Sequence, residues 1–264
     1  MEAPAHLTSP RNPLLKEIRV AIDRGTLTKS GLCVAETFHL LEEAVRSGCA
    51  IDTVLAAESV CSTVERRIGG LRGLKLIALA DDLFASLSAT ETSQGVMTLV
   101  RPPSWDLDSV FRGQSLVIVL DGVQDPGNAG TILRAAEAFG ATGAIVLKGS
   151  VNPWNPKAVR ASAGSVFRLP LIAGLDGPLV LAALTQRRTD IYAAMPRAEN
   201  PIDTVDLRRR CALVIGSEGR GVGPQFTAAA TPVRIPTASV ESLNAAVAAG
   251  VLLYEASRQR RVAG

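Results

Sequence analysis

The chain is 264 residues long, enough for one large domain or for two with separate cores. Hydrophobic residues make up 47% and charged residues 20%, an ordinary globular composition, and no apolar run reaches the roughly 18 residues that a bilayer span needs. The net charge of +3 tolerates a nucleic-acid partner without demanding one, and the opening MEAPAHLTSPRNPLLKE lacks the apolar core of a secretory signal, so the expectation is a cytoplasmic protein with no membrane contact.

In chain order, residues 36–48 carry Phe38, Leu41 and Val45 at helical spacing, with Gly48 where a helix stop belongs. Residues 51–57 read as a strand, 61–68 as a short helix, and 74–79 and 96–100 as two further strands. Helices alternating with short strands predict a small α/β domain over residues 1–100. Arg101-Pro102-Pro103-Ser104-Trp105-Asp106 breaks the pattern, and its adjacent prolines mark a linker over 101–114. Residues 116–120 (LVIVL) are an unbroken apolar run, as expected for a strand covered on both faces. The turn DGVQDPGN leads into a helix over 129–139 that stops at Gly140, and 144–147 is the next buried strand. Residues 178–188, 190–194 and 212–216 continue as helix, strand and strand, and a helix over 244–260 ends the pattern. The repetition predicts a second α/β domain, 115–264, with a mainly parallel sheet and ligands at the carboxyl ends of its strands.

Cys33, Cys49, Cys61 and Cys211 are scattered, and His6 and His39 are the only histidines, so no metal site is expected and most of the thiols read as buried. The basic groups Arg66-Arg67, Arg187-Arg188, Arg208-Arg209-Arg210 and 258–261 are read equally well as solvated helix ends or as nucleic-acid contacts.

Three segments carry chemistry. In the first, a strand runs through Asp121-Gly-Val-Gln-Asp-Pro-Gly-Asn128 into a helix N-terminus, a geometry that presents free N–H groups to polar ligands. Asn128 is a candidate N-cap, and Arg134 lies one and a half turns further on. By itself this is also a capped helix with a solvated arginine. In the second, Gly216-Ser217-Glu218-Gly219-Arg220-Gly221 closes an apolar strand with a glycine-rich turn holding one carboxylate; no dinucleotide-type βαβ unit follows. In the third, Ile235-Pro236 precedes Ser242-Leu243-Asn244, and either Ser242 or Asn244 can cap the last helix.

Taken in order, N-x-G-x-x-x-R, G-S-E-G, and I-P with S-L-N resemble the SpoU/TrmH family of RNA 2′-O-ribose methyltransferases of the SPOUT superfamily, over residues 115–260. Residues 9–16 (SPRNPLLK) and Ser93-Gln94-Gly95-Val96 resemble this family's L30e-like substrate-binding domain, although Glu36 stands between Ala35 and Thr37, which depart from the pattern. The resemblance implies an α/β knot (a deep trefoil) and S-adenosyl-L-methionine as cofactor, with S-adenosyl-L-homocysteine as product and no metal. Gly216, Ser217, Gly219, Ile235 and Leu243 would hold the cofactor. Arg134 would activate the ribose hydroxyl, with Asn128, Glu218, Ser242 and Asn244 orienting it. The same resemblance implies RNA contacts at Asn12, Lys16, Glu36 and Arg160. It also implies a homodimer through the C-terminal domain, in which Arg134 serves cofactor held by the other protomer, and ribosomal rather than transfer RNA as substrate. The stretch from Pro236 to Ser242 is a residue shorter than in many relatives, with Ser239 where they often carry glycine, so the backbone positions facing the cofactor stay open. Two rivals remain at this point: an RNA-binding module of the same fold without catalysis, and an unrelated nucleotide-binding α/β enzyme, which would want the G-K-[ST] this chain lacks.

Overall fold

The structure is a computed structural model, and it describes residues 4–69, 73–90 and 92–262, without the side chain of residue 262. The ends of the expected domains, at 1 and 264, lie outside the described residues. Two compact units are present: the chain up to Pro103 together with Trp154–Phe167, and Ser104–Pro153 together with the chain from Arg168 onward.

The first unit contains β1 (Ala5–Leu7), α1 (Pro13–Arg24), β2 (Cys33–Glu36), α2 (Phe38–Arg46), β3 (Ile51–Ala57), α3 (Cys61–Ile68), β4 (Lys75–Leu79), α4 (Asp81–Ala85) and β5 (Val96–Val100). Its five-stranded sheet has the order β1-β4-β3-β5-β2, parallel from β1 to β3 and antiparallel at β5. The two-residue period of β3 sorts its side chains between two cores. Leu55 and Ala57 face α1 and α4 through Leu15, Ile18 and Phe84, whereas Val54 and Ala56 face α2 and α3 through Leu41, Val64 and Ile68. The helix expected from residue 36 begins at Phe38, because Glu36 completes β2 and the hydroxyl of Thr37 caps the helix by accepting from Leu40 N (3.1 Å). Helix α1 starts on a side-chain cap, Asn12 Oδ1 accepting from Leu14 N at 2.9 Å with Pro13 in the first turn.

The second unit contains α5 (Leu107–Val110), inside the expected linker, then β6 (Leu116–Asp121), α6 (Pro126–Ala138) and β7 (Gly143–Leu147). The excursion that joins the first unit carries α7 (Pro156–Ala161). Next come β8 (Leu171–Leu175), α8 (Gly177–Gln186), β9 (Asp190–Ala194), β10 (Asn200–Pro201), β11 (Cys211–Gly216), α9 (Pro224–Thr227), β12 (Thr231–Arg234) and α10 (Ala245–Val262). The seven strands pair in parallel throughout, in the order β10-β12-β9-β11-β6-β7-β8. One face is closed by α5, α8 and α9 through Val110, Val180, Leu184 and Phe226, and α6 and α10 cover the other. This double cover explains why β6 and β11 are apolar at every interior position.

Strand order also sets the crossing of the chain. β12 lies on the far side of β9 from β11, yet α10, which follows it, packs back against β11 and α6. Residues 235–244 make that return over the carboxyl ends of the strands.

Candidate active site

Helix α6 begins three residues earlier than its periodicity suggested. Asp125 is its cap, accepting from Asn128 N at 2.7 Å with Pro126 in the first turn, so Asn128 is not the cap and its amide side chain is free for other partners. At the other end of the site the carbonyl oxygen of the Asn244 side chain accepts from Ala246 N (2.9 Å) and Val247 N (3.3 Å) and caps α10; of the two candidates, Asn244 takes this role.

With its oxygen taken by the helix, Asn244 points its amide N–H at Asn128 Oδ1 (3.0 Å), and Asn128 in turn donates to Glu218 Oε1 (2.6 Å). An amide has separate donor and acceptor ends, so this chain runs in one direction, from the N–H groups of α10 to the Glu218 carboxylate. It joins one residue from each of the three sequence segments.

The glycine-rich turn that carries Glu218 is fixed from both sides. Ser217 and Gly221 exchange backbone hydrogen bonds (3.1 and 2.9 Å), and Gly221 has φ +69°. Gly216 sits beneath this turn, where a Cβ would overlap the backbone of Gly221 and Val222. Its lack of a side chain therefore lets the loop fold over itself. Beyond the turn, Gly223 N donates to Asp121 Oδ2 at 2.7 Å and ties the loop to the end of β6.

Three loops at the carboxyl ends of β9, β11 and β12 surround a cavity of about 790 Å³. Gly216, Ser217, Glu218, Gly219, Ile235, Ser242, Leu243 and Asn244 all line it. Asn128 stands behind this wall, bonded to two lining residues. Sequence reasoning missed Met195, Pro196 and Arg197 after β9, together with Arg220, Arg234 and Glu241. The available signal for the first three was Met195-Pro196 directly after an apolar strand, a third carboxyl-end loop. Apolar walls (Ile215, Val233, Leu252) with a rim of hydroxyls, carboxylates and guanidinium groups suit a ligand with a flat apolar part and a charged polar part.

Arg134 does not line the cavity. Six residues beyond Asn128, it is turned about 120° around the helix. There it forms an exposed row with Thr131 and Ala138, and it has no hydrogen-bond or ion-pair partner among the described residues.

The residues expected to meet RNA all belong to the first unit. Lys16 is exposed on α1, and Asn12 serves its cap. Arg160 lies on α7 with Nη1 buried and unpaired. Glu36 corrects the expectation of direct RNA contact. It is 3% exposed, and its carboxylate accepts from the hydroxyls of Ser88, Thr90 (2.9 Å) and Ser93 (3.3 Å) and from Ala89 N (3.1 Å). A buried carboxylate with four donors from one loop is that loop's anchor. Among the described residues no group of three or more His, Cys, Asp or Glu is placed to hold a metal ion, and no helix is long and apolar enough to cross a membrane.

An all-parallel α/β sheet with a cavity and a directed polar chain at its carboxyl edge, accompanied by a small mixed α/β unit, defines a two-unit enzyme of the ligand-at-the-strand-ends class. The sequence model of the SpoU rRNA Methylase family matches residues 115–254, and that of the MRM3-like substrate binding domain matches residues 12–98; the chain belongs to the SpoU rRNA methylase family. It is 33% identical to an uncharacterized tRNA/rRNA methyltransferase of Synechocystis over 97% of this chain and 94% of the relative. It is 27% identical to the Bacillus subtilis 23S rRNA (guanosine(2553)-2′-O)-methyltransferase RlmP over 94% of this chain and 97% of that one. Among solved structures, the SpoU methyltransferase AviRb from Streptomyces viridochromogenes in complex with AdoMet superposes with TM-score 0.88 at 30% identity, covering 96% of this chain and 100% of that one.

Proposed function

We propose that the protein transfers a methyl group from S-adenosylmethionine to a ribose 2′-hydroxyl of ribosomal RNA, in the cytoplasm and as a homodimer. The observation that carries this reading is the chain Asn244–Asn128–Glu218 beside a cavity lined by Gly216, Ser217, Gly219, Ile235 and Leu243. Relatives named as 23S rRNA 2′-O-methyltransferases and an AdoMet-bound structural neighbour support it. A non-catalytic module would have no use for this polar chain together with Arg134.

The cavity fits the cofactor. Ile215, Val233 and Leu252 offer an apolar surface for an adenine, and Glu218, Glu241, Arg197 and Arg234 offer opposite charges for an amino-acid moiety that carries both. When bound, S-adenosylmethionine supplies a methyl group on a sulfonium centre and leaves as S-adenosylhomocysteine. Gly216, Ile235 and Leu243 would present backbone groups to its adenosine portion. A ribose 2′-hydroxyl beside the Asn244–Asn128–Glu218 chain would receive that methyl group and give up its proton as it does so. The reaction calls on no metal ion. An arginine is in practice always protonated, so the part of Arg134 is to stabilise the developing alkoxide, with Glu218, Asn128, Ser242 and Asn244 orienting the groups around it.

The position of Arg134 fits a site completed by a second copy. Helix α10, packed against the helix that carries Arg134, exposes Val247, Val251 and Tyr254 (53, 37 and 48%) at i, i+4 and i+7, an apolar stripe. In such a dimer each Arg134 would reach cofactor held by its partner. The return of residues 235–244 across the strand ends is the segment that a trefoil knot would thread.

The test is Arg134→Ala. Methyl transfer to rRNA should fall below detection, while the affinity for S-adenosylmethionine measured by titration calorimetry stays within a few-fold of wild type. Near-wild-type turnover would remove Arg134 from the site, and equal binding of ATP and S-adenosylmethionine by the wild-type protein would point to a nucleotide enzyme instead.

A further inference from the structure

The amino ends of the same strands carry a second charged surface. The strand register pairs Cys211 with both Leu116 and Asp190, so the residues just before β6, β9 and β11 meet at one edge of the sheet. Arg112, Arg188, Arg209 and Arg210 stand there, all exposed. Arg210 reaches only a carbonyl, donating to Gly113 O at 3.1 Å, and its own carbonyl accepts from Asp190 N at 2.9 Å. Carboxylates neutralise their neighbours: Arg187 pairs with Asp108 at 2.8 Å, and Arg208 holds Asp206 with two bonds, keeping that carboxyl down at about 2. Arg209 reaches the same Asp206 only at 4.0 Å, and Arg112 and Arg188 have no carboxylate partner among the described residues.

Arg188 adds an independent mark. It adopts φ +52°, a left-handed conformation that non-glycine residues rarely take and that costs about 1 kcal/mol or more. Glycine or asparagine would fit the turn better, so the strain accompanies a guanidinium held out at this edge. Of the basic groups at the chain end, Arg260 is consumed by the carbonyls of Leu207, Gln114, Ser115 and Arg209, and Arg258 pairs with Glu255. Among the described residues, the exposed large apolar side chains of this unit lie on α8, α10 and the 235–244 segment, not among these arginines, so the described part of the surface has no apolar centre of the kind a protein interface needs.

We propose that Arg112, Arg188, Arg209 and Arg210 form a second RNA-binding surface that grips backbone phosphates of the rRNA away from the nucleotide being methylated. The proposal rests on the assignment of rRNA as substrate. Planar guanidinium groups with no carboxylate at hydrogen-bonding distance match phosphate oxygens, and such contacts give affinity without sequence preference. The cavity opens at the opposite ends of the strands, about 20 Å away along a six-residue strand. A large folded RNA bridges that distance, whereas the reacting nucleotide by itself does not.

The test replaces Arg112→Gln, Arg188→Gln and Arg209→Gln together, leaving Arg210 and its bond to Gly113 intact. Intact 23S rRNA from a strain lacking the gene is the substrate, with tritiated S-adenosylmethionine as donor. The KM for RNA should rise about ten-fold, and the slope of its logarithm against log salt should flatten by about 2 to 3, because each lost phosphate contact removes about 0.9. The kcat, the cofactor affinity and the unfolding midpoint should stay at wild-type values. Unchanged KM and slope in an active, folded variant overturn the proposal and leave the patch to an acidic protein. A wild-type protein that methylates no rRNA instead overturns the substrate assignment.

Discussion

Replacement of Asn244 by alanine and by aspartate separates the cap of α10 from the link to Asn128. Alanine removes both the acceptor for Ala246 N and Val247 N and the donor to Asn128. The lost cap costs about 1 kcal/mol, which lowers Tm by about 2 to 4 °C in a unit of this size. Aspartate keeps an acceptor at the helix start, where a negative charge is favoured, so its Tm should stay within about 1 °C of wild type. It nevertheless lacks the amide donor and sets an oxygen against Asn128 Oδ1, with Glu218 beyond. The loss of one neutral hydrogen bond, about 1 kcal/mol, slows turnover about five-fold, and the added repulsion slows it further. Thermal unfolding and tritiated methyl transfer, run side by side, should therefore show Asn244→Asp stable but slow and Asn244→Ala both unstable and slow. Wild-type turnover in Asn244→Asp would refute the role of the chain, and equal destabilisation of both variants would refute the cap.

Three other outcomes follow from the same structure. Gly216→Ala should cost about 2 kcal/mol of stability and weaken cofactor binding, since its Cβ meets backbone that cannot turn away; Gly219→Ala, where a Cβ meets nothing within 4 Å, should leave Tm unchanged. Glu36→Ala strands the donors on Ser88, Ala89, Thr90 and Ser93 and should cost about 2 to 4 kcal/mol in urea unfolding while sparing cofactor affinity; a cost below about 0.5 kcal/mol would end the anchor account. Burial pushes the Cys211 thiol up to about 11 and raises Cys33 as well, so both hold little thiolate at about pH 8. Maleimide labelling read by mass spectrometry should reach Cys49 and Cys61 in the native protein, and Cys33 and Cys211 only after denaturation; rapid native labelling of Cys211 would contradict its burial.

The apolar strands were the legible part of the sequence. LVIVL announces β6 because a strand covered on both faces has no polar position to hide. Helix starts were harder: Asp125-Pro126 and Asn128 compete as caps, and the proline in the first turn, which decides for Asp125, was outweighed by apolar periodicity. Asn12-Pro13 is the same signature, and it marks α1. β12 is four residues long with Pro232 inside it, and only its neighbours β9 and β10 make it a strand. Met195–Arg197 could not be placed at the cavity without the strand order, which is a long-range property. Glu36 was singled out by the family resemblance, but its surroundings depend on four donors more than fifty residues away. The three motif segments, by contrast, were recognisable from their order, and the hydrogen bonds from Asn244 through Asn128 to Glu218 give that order a physical form.

The most direct measurement of the central claim is the nucleoside product. Ribosomal RNA from a strain lacking the gene, incubated with the purified protein and S-adenosylmethionine, is digested to nucleosides and analysed by mass spectrometry. The account predicts one new 2′-O-methylnucleoside that is absent without enzyme and absent with Arg134→Ala. A methyl group found on a base, or no methylation of rRNA by the wild-type protein, would contradict it.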